Sequence, residues 1–144
     1  MAAPYYVAKR FVVARISGIT GFAAKAPAGL HEDELPPNVE PTRICVIYQI
    51  ETGRSILGTG AIYVGDVISV LIDVVVPGRS QLPGEGLYTD IINAMHTANG
   101  PVSGGGRIAS CVFRGPIASL PEHTASGLDY EHLRQRYELQ AMVS

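Results

Sequence analysis

The sequence predicts an α+β fold: a mixed, mostly antiparallel β-sheet flanked by two or three α-helices, with long loops. Three observations predict it. Residues 67–76 form an apolar run of strand length, residues 87–98 carry apolar side chains at helical spacing, and residues 136–143 alternate apolar and polar side chains. A chain of 144 residues with these elements favours one domain, 1–144, over two.

The first predicted element is a helix over residues 5–16. Val7, Phe11 and Ala14 recur at helical spacing, and the helix ends at Gly18. The β-branched residues of this segment also suit a strand, because such side chains lose rotamer freedom in a helix. We therefore predict a helix and keep a strand as the alternative.

Two loops and two strands are predicted before the central strand. Residues 24–41 hold four prolines and predict a long loop. The side chains of residues 43–50 alternate between an apolar face and a mixed face, which predicts a strand with one face more buried than the other. Residues 51–60, with three glycines, predict a hairpin or extended loop. A short strand is expected at 61–64, followed by a turn at residues 65–66.

The centre of the predicted sheet is residues 67–76, because one face of this strand is wholly apolar and the other is mixed. Residues 77–86 hold two prolines and three glycines and predict a loop. This loop leads into a helix over 87–98, which has an apolar stripe. Strands are then expected over 107–113 and 136–143.

The composition argues against several classes of function. With 47% hydrophobic and 17% charged residues, the chain has the composition of a protein with a packed core. A net charge of −2 offers no excess of positive charge for sequence-independent DNA binding. No apolar run is long enough to cross a bilayer, and the first ten residues lack the order of a signal peptide. We therefore expect a soluble protein made in the cytoplasm, without membrane contact.

No catalytic, cofactor-binding or metal-ligating pattern stands out, so the sequence predicts neither an enzyme nor a cofactor. The four histidines lack metal-site spacing and are expected to face solvent. The glycine-rich residues 103–107 precede a strand, whereas phosphate loops precede a helix N-terminus. Cys45 and Cys111 lie in apolar runs and are predicted to be buried free thiols rather than a disulfide.

Asp73 is the one acid inside an apolar strand. Burial would make it a candidate acid or base, and a small enzyme or ligand-binding module with Asp73, Arg107 or Cys111 in a pocket is one alternative. Its position on the mixed face, with Ser69, favours an exposed or interface carboxylate instead.

The arginines mostly lie at element ends or on polar faces, where they promote solubility. Arginine also makes bidentate contacts with carboxylates at interfaces, so the acidic residues 32–34 of another subunit are candidate partners. The predicted interface candidates are Arg54, Tyr63, Asp73, Arg79, Arg107 and Arg114.

The order of the elements resembles a known protein family. The segments TRICVIYQIETG, VISVLIDVVVPG, GLYTDIINAMHTA, GGGRIASCVFRGPI and YEHLRQRYELQAMV follow one another over nearly the whole chain. This series resembles the tail terminator, or tail-completion, proteins of long-tailed bacteriophages. Tyr130, His132, Tyr137 and Leu139 match the Y-x-H … Y-x-L pattern of that family's last strand.

The resemblance implies a structural virion protein that assembles as a homohexameric ring. Such a ring caps the finished tail tube, stops tube polymerisation and offers a joining surface to head-completion or connector proteins. DNA passes through its lumen without specific binding. The expected location is the neck of the virion tail, after assembly in the host cytoplasm. The chain departs from the family in residues 24–41 and 51–65. Another neck component, such as a head-closure or adaptor protein, and a tail-tube protein are alternatives.

Overall fold

The sheet is built around one long central strand. The computed structural model describes residues 3–34, 42–51, 53–57, 63–117, 121–123 and 127–143. Within them, eight strands form one sheet in the order β1-β2-β4-β8-β6-β5, with β3 beside β4 and β7 beside β8. The strands are β1 Leu30–Glu32, β2 Cys45–Ile50, β3 Arg54–Leu57, β4 Tyr63–Pro77, β5 Gly100–Pro101, β6 Arg107–Ile117, β7 Glu122–His123 and β8 Asp129–Met142.

The strand pairings confirm the predicted α+β class. β1 and β2 pair in parallel, and the other described pairings are antiparallel. β4 lies between β2 and β8, as its apolar sequence predicts for a central strand.

Three helices accompany the sheet: α1 Pro4–Ser17, α2 Phe22–Lys25 and α3 Leu82–Met95. The prediction of a helix rather than a strand for the first segment is confirmed. Proline occupies the first turn of both α1 and α3, where its missing N–H is not needed for helix hydrogen bonds. None of the described helices combines the length and apolar character that crossing a bilayer requires.

The core lies between one face of the sheet and helices α1 and α3. On this face, here called the helix face, β4 contributes Val70, Ile72 and Val74, which pack in one buried cluster with Val12 of α1 and Ile91 of α3. Each such side chain stabilises the fold by about 1.5–3 kcal/mol when fully buried. The opposite face, here called the outer face, carries Leu71, Asp73 and Val75 of β4, because side chains alternate along a strand.

Several predicted loops contain regular structure. The region 24–41 includes the end of α2 and all of β1, while residues 35–41 lie outside the described part of the chain. β3 lies within residues 51–60, for which a hairpin or an extended loop was predicted, and its antiparallel pairing with the next strand, β4, agrees with the hairpin. Strands of three or four residues are too short to show a period, so only their pairing with β2 and β4 defines them.

Element boundaries also differ from prediction. The prediction of a turn at Gly65 and Asp66 is wrong. Both residues belong to β4, which pairs here with β3 on one side and with β8 on the other and is therefore extended. α3 begins at Leu82, within the predicted loop 77–86. β6 continues to Ile117 and β8 begins at Asp129, so both strands are longer than their sequence patterns indicate.

Candidate interaction surfaces

A cluster of ionisable side chains lies on the outer face where β4, β8 and β7 meet. The β4–β8 register places Asp73 opposite Arg134 and Val75 opposite His132. His132 Nδ1 lies 2.7 Å from Asp73 Oδ2, and its Nε2 lies 2.7 Å from Glu122 Oε2. Arg134 Nε donates to the same Asp73 oxygen at 3.4 Å. His132 therefore connects the short strand β7 to the centre of the sheet.

Burial of this cluster corrects two expectations. Asp73 is only 8% exposed, so it is not an exposed carboxylate. The side chain of His132 is only 10% exposed, so the expectation that the histidines face solvent is wrong for this one. The hydrogen bond to Asp73 raises the pKa of His132, with Glu122 adding to the effect and burial opposing it. The two residues are 59 positions apart, so only the strand register could bring them together.

Arg79 belongs to a second, more exposed cluster at the same end of the sheet. Its Nε donates to Asp129 Oδ2 at 2.7 Å, and His123 Nδ1 lies 2.6 Å from Asp129 Oδ1. The hydrogen bond from Arg79, followed by that with His123, holds the pKa of Asp129 below its usual value. Exposed pairs of this kind contribute little to folding stability. The Arg79 side chain is nevertheless 85% exposed.

The remaining interface candidates are distributed along the sheet. Arg54 and Arg107 are exposed at the starts of β3 and β6. Tyr63 begins β4 and pairs with Leu57 through the backbone, while its side chain lies outside the described part of the structure. Arg114 lies on β6, where its Nη2 is 3.3 Å from an oxygen of Glu138. The described contacts join none of the six candidates to another.

A cleft of about 600 Å³ lies between α1 and the segment that follows α3. Its lining includes Arg10 and Arg15 of α1 and the apolar side chains of Val13, Pro101 and Val102. No sequence pattern marks this cleft, because its two walls are almost 90 positions apart in the chain. We call it the basic cleft.

An acidic corner lies at the edge of the sheet that β1 forms. Glu32 of β1 forms an ion pair with Lys9 at 2.7 Å and accepts hydrogen bonds from Tyr5 and Tyr48. The contacts with Lys9 and then Tyr5 lower the pKa of Glu32. Asp33 and Glu34 follow β1 and are exposed. We use the name acidic corner for Asp33 and Glu34.

The chain matches no protein-family profile and no curated protein sequence. Its fold is similar to that of a virion chain. The similar chain belongs to the virion of a native gene transfer agent (GTA) particle, with a TM-score of 0.64 and 15% sequence identity. The match covers 97% of this chain and 99% of that one. At this level of identity, the likeness concerns the fold.

The three residues considered for an enzymatic or ligand-binding pocket are separated in the described structure. Asp73 lies on the outer face, Arg107 at the start of β6, and Cys111 within the core of the helix face, so the three residues do not share a pocket. Among the described residues, no group of three histidine, cysteine or acidic side chains is placed to hold a metal ion.

Both cysteines are free and buried, as predicted. Burial raises the pKa of Cys45 to about 11 and that of Cys111 to about 12. Because the thiolate is the reactive form, both side chains are poor nucleophiles at neutral pH.

Proposed function

We propose that this chain is a structural subunit of a tail-terminator ring in a tailed phage or phage-like particle. The observation that carries the proposal is the fold similarity, over nearly the full length of both chains, to a chain of a GTA virion. The sequence resemblance to tail terminators supports the same role. Its Y-x-H … Y-x-L residues lie on β8, which pairs with β4 at the centre of the sheet.

The positions of the candidate contact residues agree with a role between two partners. Arg54 and Arg107 lie at the end of the sheet where β8 finishes, whereas Arg79 lies at the end where β8 begins. Asp73 is buried by its contacts with His132 and Arg134 and belongs to neither surface. A subunit between the tail tube and a head-completion or connector protein needs two separate surfaces. The two ends of this sheet supply them.

The proposed ring would surround DNA without binding it specifically. The chain carries a net charge of −2, and tight sequence-independent binding requires many phosphate contacts from Lys or Arg. A weakly acidic chain suits a lumen through which DNA must slide without sticking. In this role the chain needs no cofactor and performs no chemistry; it stops tube polymerisation by covering the end of the tube.

The direct test is deletion of the gene for this chain from the genome that encodes the phage or phage-like particle. We expect tails of abnormal length and heads without joined tails in electron micrographs, with normal particles restored by the wild-type chain supplied in trans. Normal particles in the deletion strain would refute the role.

A binding experiment separates the terminator role from other neck components and from a tail-tube protein. Purified tail tube and purified connector are each incubated with the chain and collected by sedimentation. A terminator binds tube ends in a fixed small number of copies, and negative-stain images should show a hexameric ring there. Binding to the connector alone would indicate a head-closure or adaptor protein, and self-polymerisation into long tubes would indicate a tube protein.

A further inference from the structure

We propose that neighbouring copies of this chain join edge to edge, with the acidic corner of one copy seated at the basic cleft of the next. The inference rests on the proposed function, because this contact would join the subunits of the ring. The partner is a second copy of the same chain, and charge complementarity between the two surfaces identifies it.

The basic cleft carries arginine donors that are not used in ion pairs. Arg10 Nη1 donates to the carbonyl oxygen of Gly104 at 3.4 Å, and Arg15 Nε donates to the carbonyl oxygen of Ala94 at 2.8 Å. Within the described residues, neither guanidinium is joined to a carboxylate. A guanidinium has five N–H donors, so both can still bind a carboxylate in bidentate fashion.

The acidic corner carries the complementary charge. Asp33 and Glu34 are exposed, and the described ion pairs of this region use Glu32 and leave these two carboxylates out. Asp33 is held in place by its backbone N–H, which donates to the carbonyl oxygen of Tyr48 at 2.8 Å. The corner is therefore anchored to the sheet through its backbone, while its two carboxylates form no ion pair with the described residues.

The sheet topology keeps the two surfaces apart within one copy. The acidic corner follows β1 at one edge, and the basic cleft lies beside β5 at the other. Five strand-to-strand steps separate these edges, on the order of 20 Å. Lys9 of α1 lines the cleft and also forms the ion pair with Glu32, so α1 lies between the two surfaces and each copy carries one surface of each charge on the two sides of this helix. Contacts of this head-to-tail type generate closed rings when the rotation between copies closes.

The basic cleft also has an apolar lining. Val13, Pro101 and Val102 give it apolar walls, which exclude water from a carboxylate–arginine contact and strengthen it. A stable interface buries about 800 Å² per partner, so the cleft and corner would set the register of a larger edge contact.

Charge reversal tests the contact in the full-length chain. Self-association is measured by sedimentation velocity for the wild type, for Arg10→Glu and for Glu34→Arg. Like charges facing each other should raise the dissociation constant of each variant about tenfold or more. Glu85→Arg, on the exposed first turn of α3, reverses a matched charge outside the contact and should associate like the wild type. Circular dichroism establishes that every variant is folded.

Recovery by mixing is the decisive measurement. An equal mixture of the two single variants offers one wild-type contact and one contact with both charges exchanged, so association should return. The double variant Arg10→Glu, Glu34→Arg should also associate. A wild type that stays monomeric, single variants that associate normally, or a mixture that does not recover would overturn the proposed contact.

The failures of the contact and of the function are distinguishable. If both single variants restore normal particles in the deletion strain and also associate normally, the contact is wrong and the terminator role stands. If mixing restores association while the deletion strain makes normal particles, the contact stands and the terminator role is wrong.

Discussion

Replacing Gly84 with alanine should destabilise the protein although it adds a better helix former. Gly84 lies in the first turn of α3 and is buried against the sheet. A Cβ at this position would lie 2.4 Å from Val76 Cγ2, 3.1 Å from Leu133 Cδ1 and 3.3 Å from Val74 Cγ1. Carbon atoms in contact prefer separations of about 3.5–4.0 Å, so α3 and β4 would have to separate or repack.

The cost can be isolated with a matched control in the same helix. Gly86 is exposed, and a Cβ there would meet nothing within 4 Å. Gly86→Ala therefore gains only helix propensity, up to about 1 kcal/mol. Gly84→Ala gains a similar amount and loses about 1–3 kcal/mol to overpacking. The free energy of unfolding of Gly84→Ala should thus fall about 1–3 kcal/mol below that of Gly86→Ala.

Urea denaturation followed by circular dichroism measures this difference directly. The two variants should share one m-value, because the surface exposed on unfolding hardly changes. Their melting temperatures should differ on the order of 5 °C. Equal stability of Gly84→Ala and Gly86→Ala would contradict the close packing of α3 on β4.

Three further predictions concern buried polar groups. Because the pKa of His132 is raised in the folded state, its contribution to stability should be complete below about pH 6.5 and lost as pH rises through the folded pKa. Urea midpoints measured from pH 5.5 to 9 should show this loss, and His132→Asn should flatten the dependence of the midpoint on pH. Gln135 is fully buried and accepts a hydrogen bond from Tyr137, so Gln135→Leu should cost about 1–3 kcal/mol, and adding Tyr137→Phe should recover part of that loss. Cys45 and Cys111 should react with Ellman's reagent only on unfolding; fast labelling of the native protein would contradict their burial.

Sequence by itself determined the elements whose periodic pattern is long enough to read. The helical spacing in α1, the apolar face of β4 and the alternation in β8 all predicted elements that the structure contains. They also predicted the α+β class. These patterns are local, because a side chain's face follows from its position within its own helix or strand.

Tertiary structure alone decided the short elements, the start of α3 and every polar cluster. β1 has no period of its own and exists through its pairing with β2. Asp73 meets His132 only because the β4–β8 register places Arg134 opposite Asp73 and His132 diagonally across from it. Neither segment carries a sequence pattern that points to the other. Gly84 was one of the three glycines that predicted a loop over residues 77–86. Its missing side chain instead lets α3 begin against β4.

The same division applies to the proposed interface. Arginines and an acidic run were visible in the sequence, but the position of Arg10 and Arg15 in the basic cleft and of Asp33 and Glu34 beside β1 was not. A sequence shows which residues are charged or apolar, and their spacing along the chain shows which of them share a face of one helix or strand. Which elements become neighbours depends on burial and pairing between segments many tens of residues apart, and the folded chain settles this as a whole.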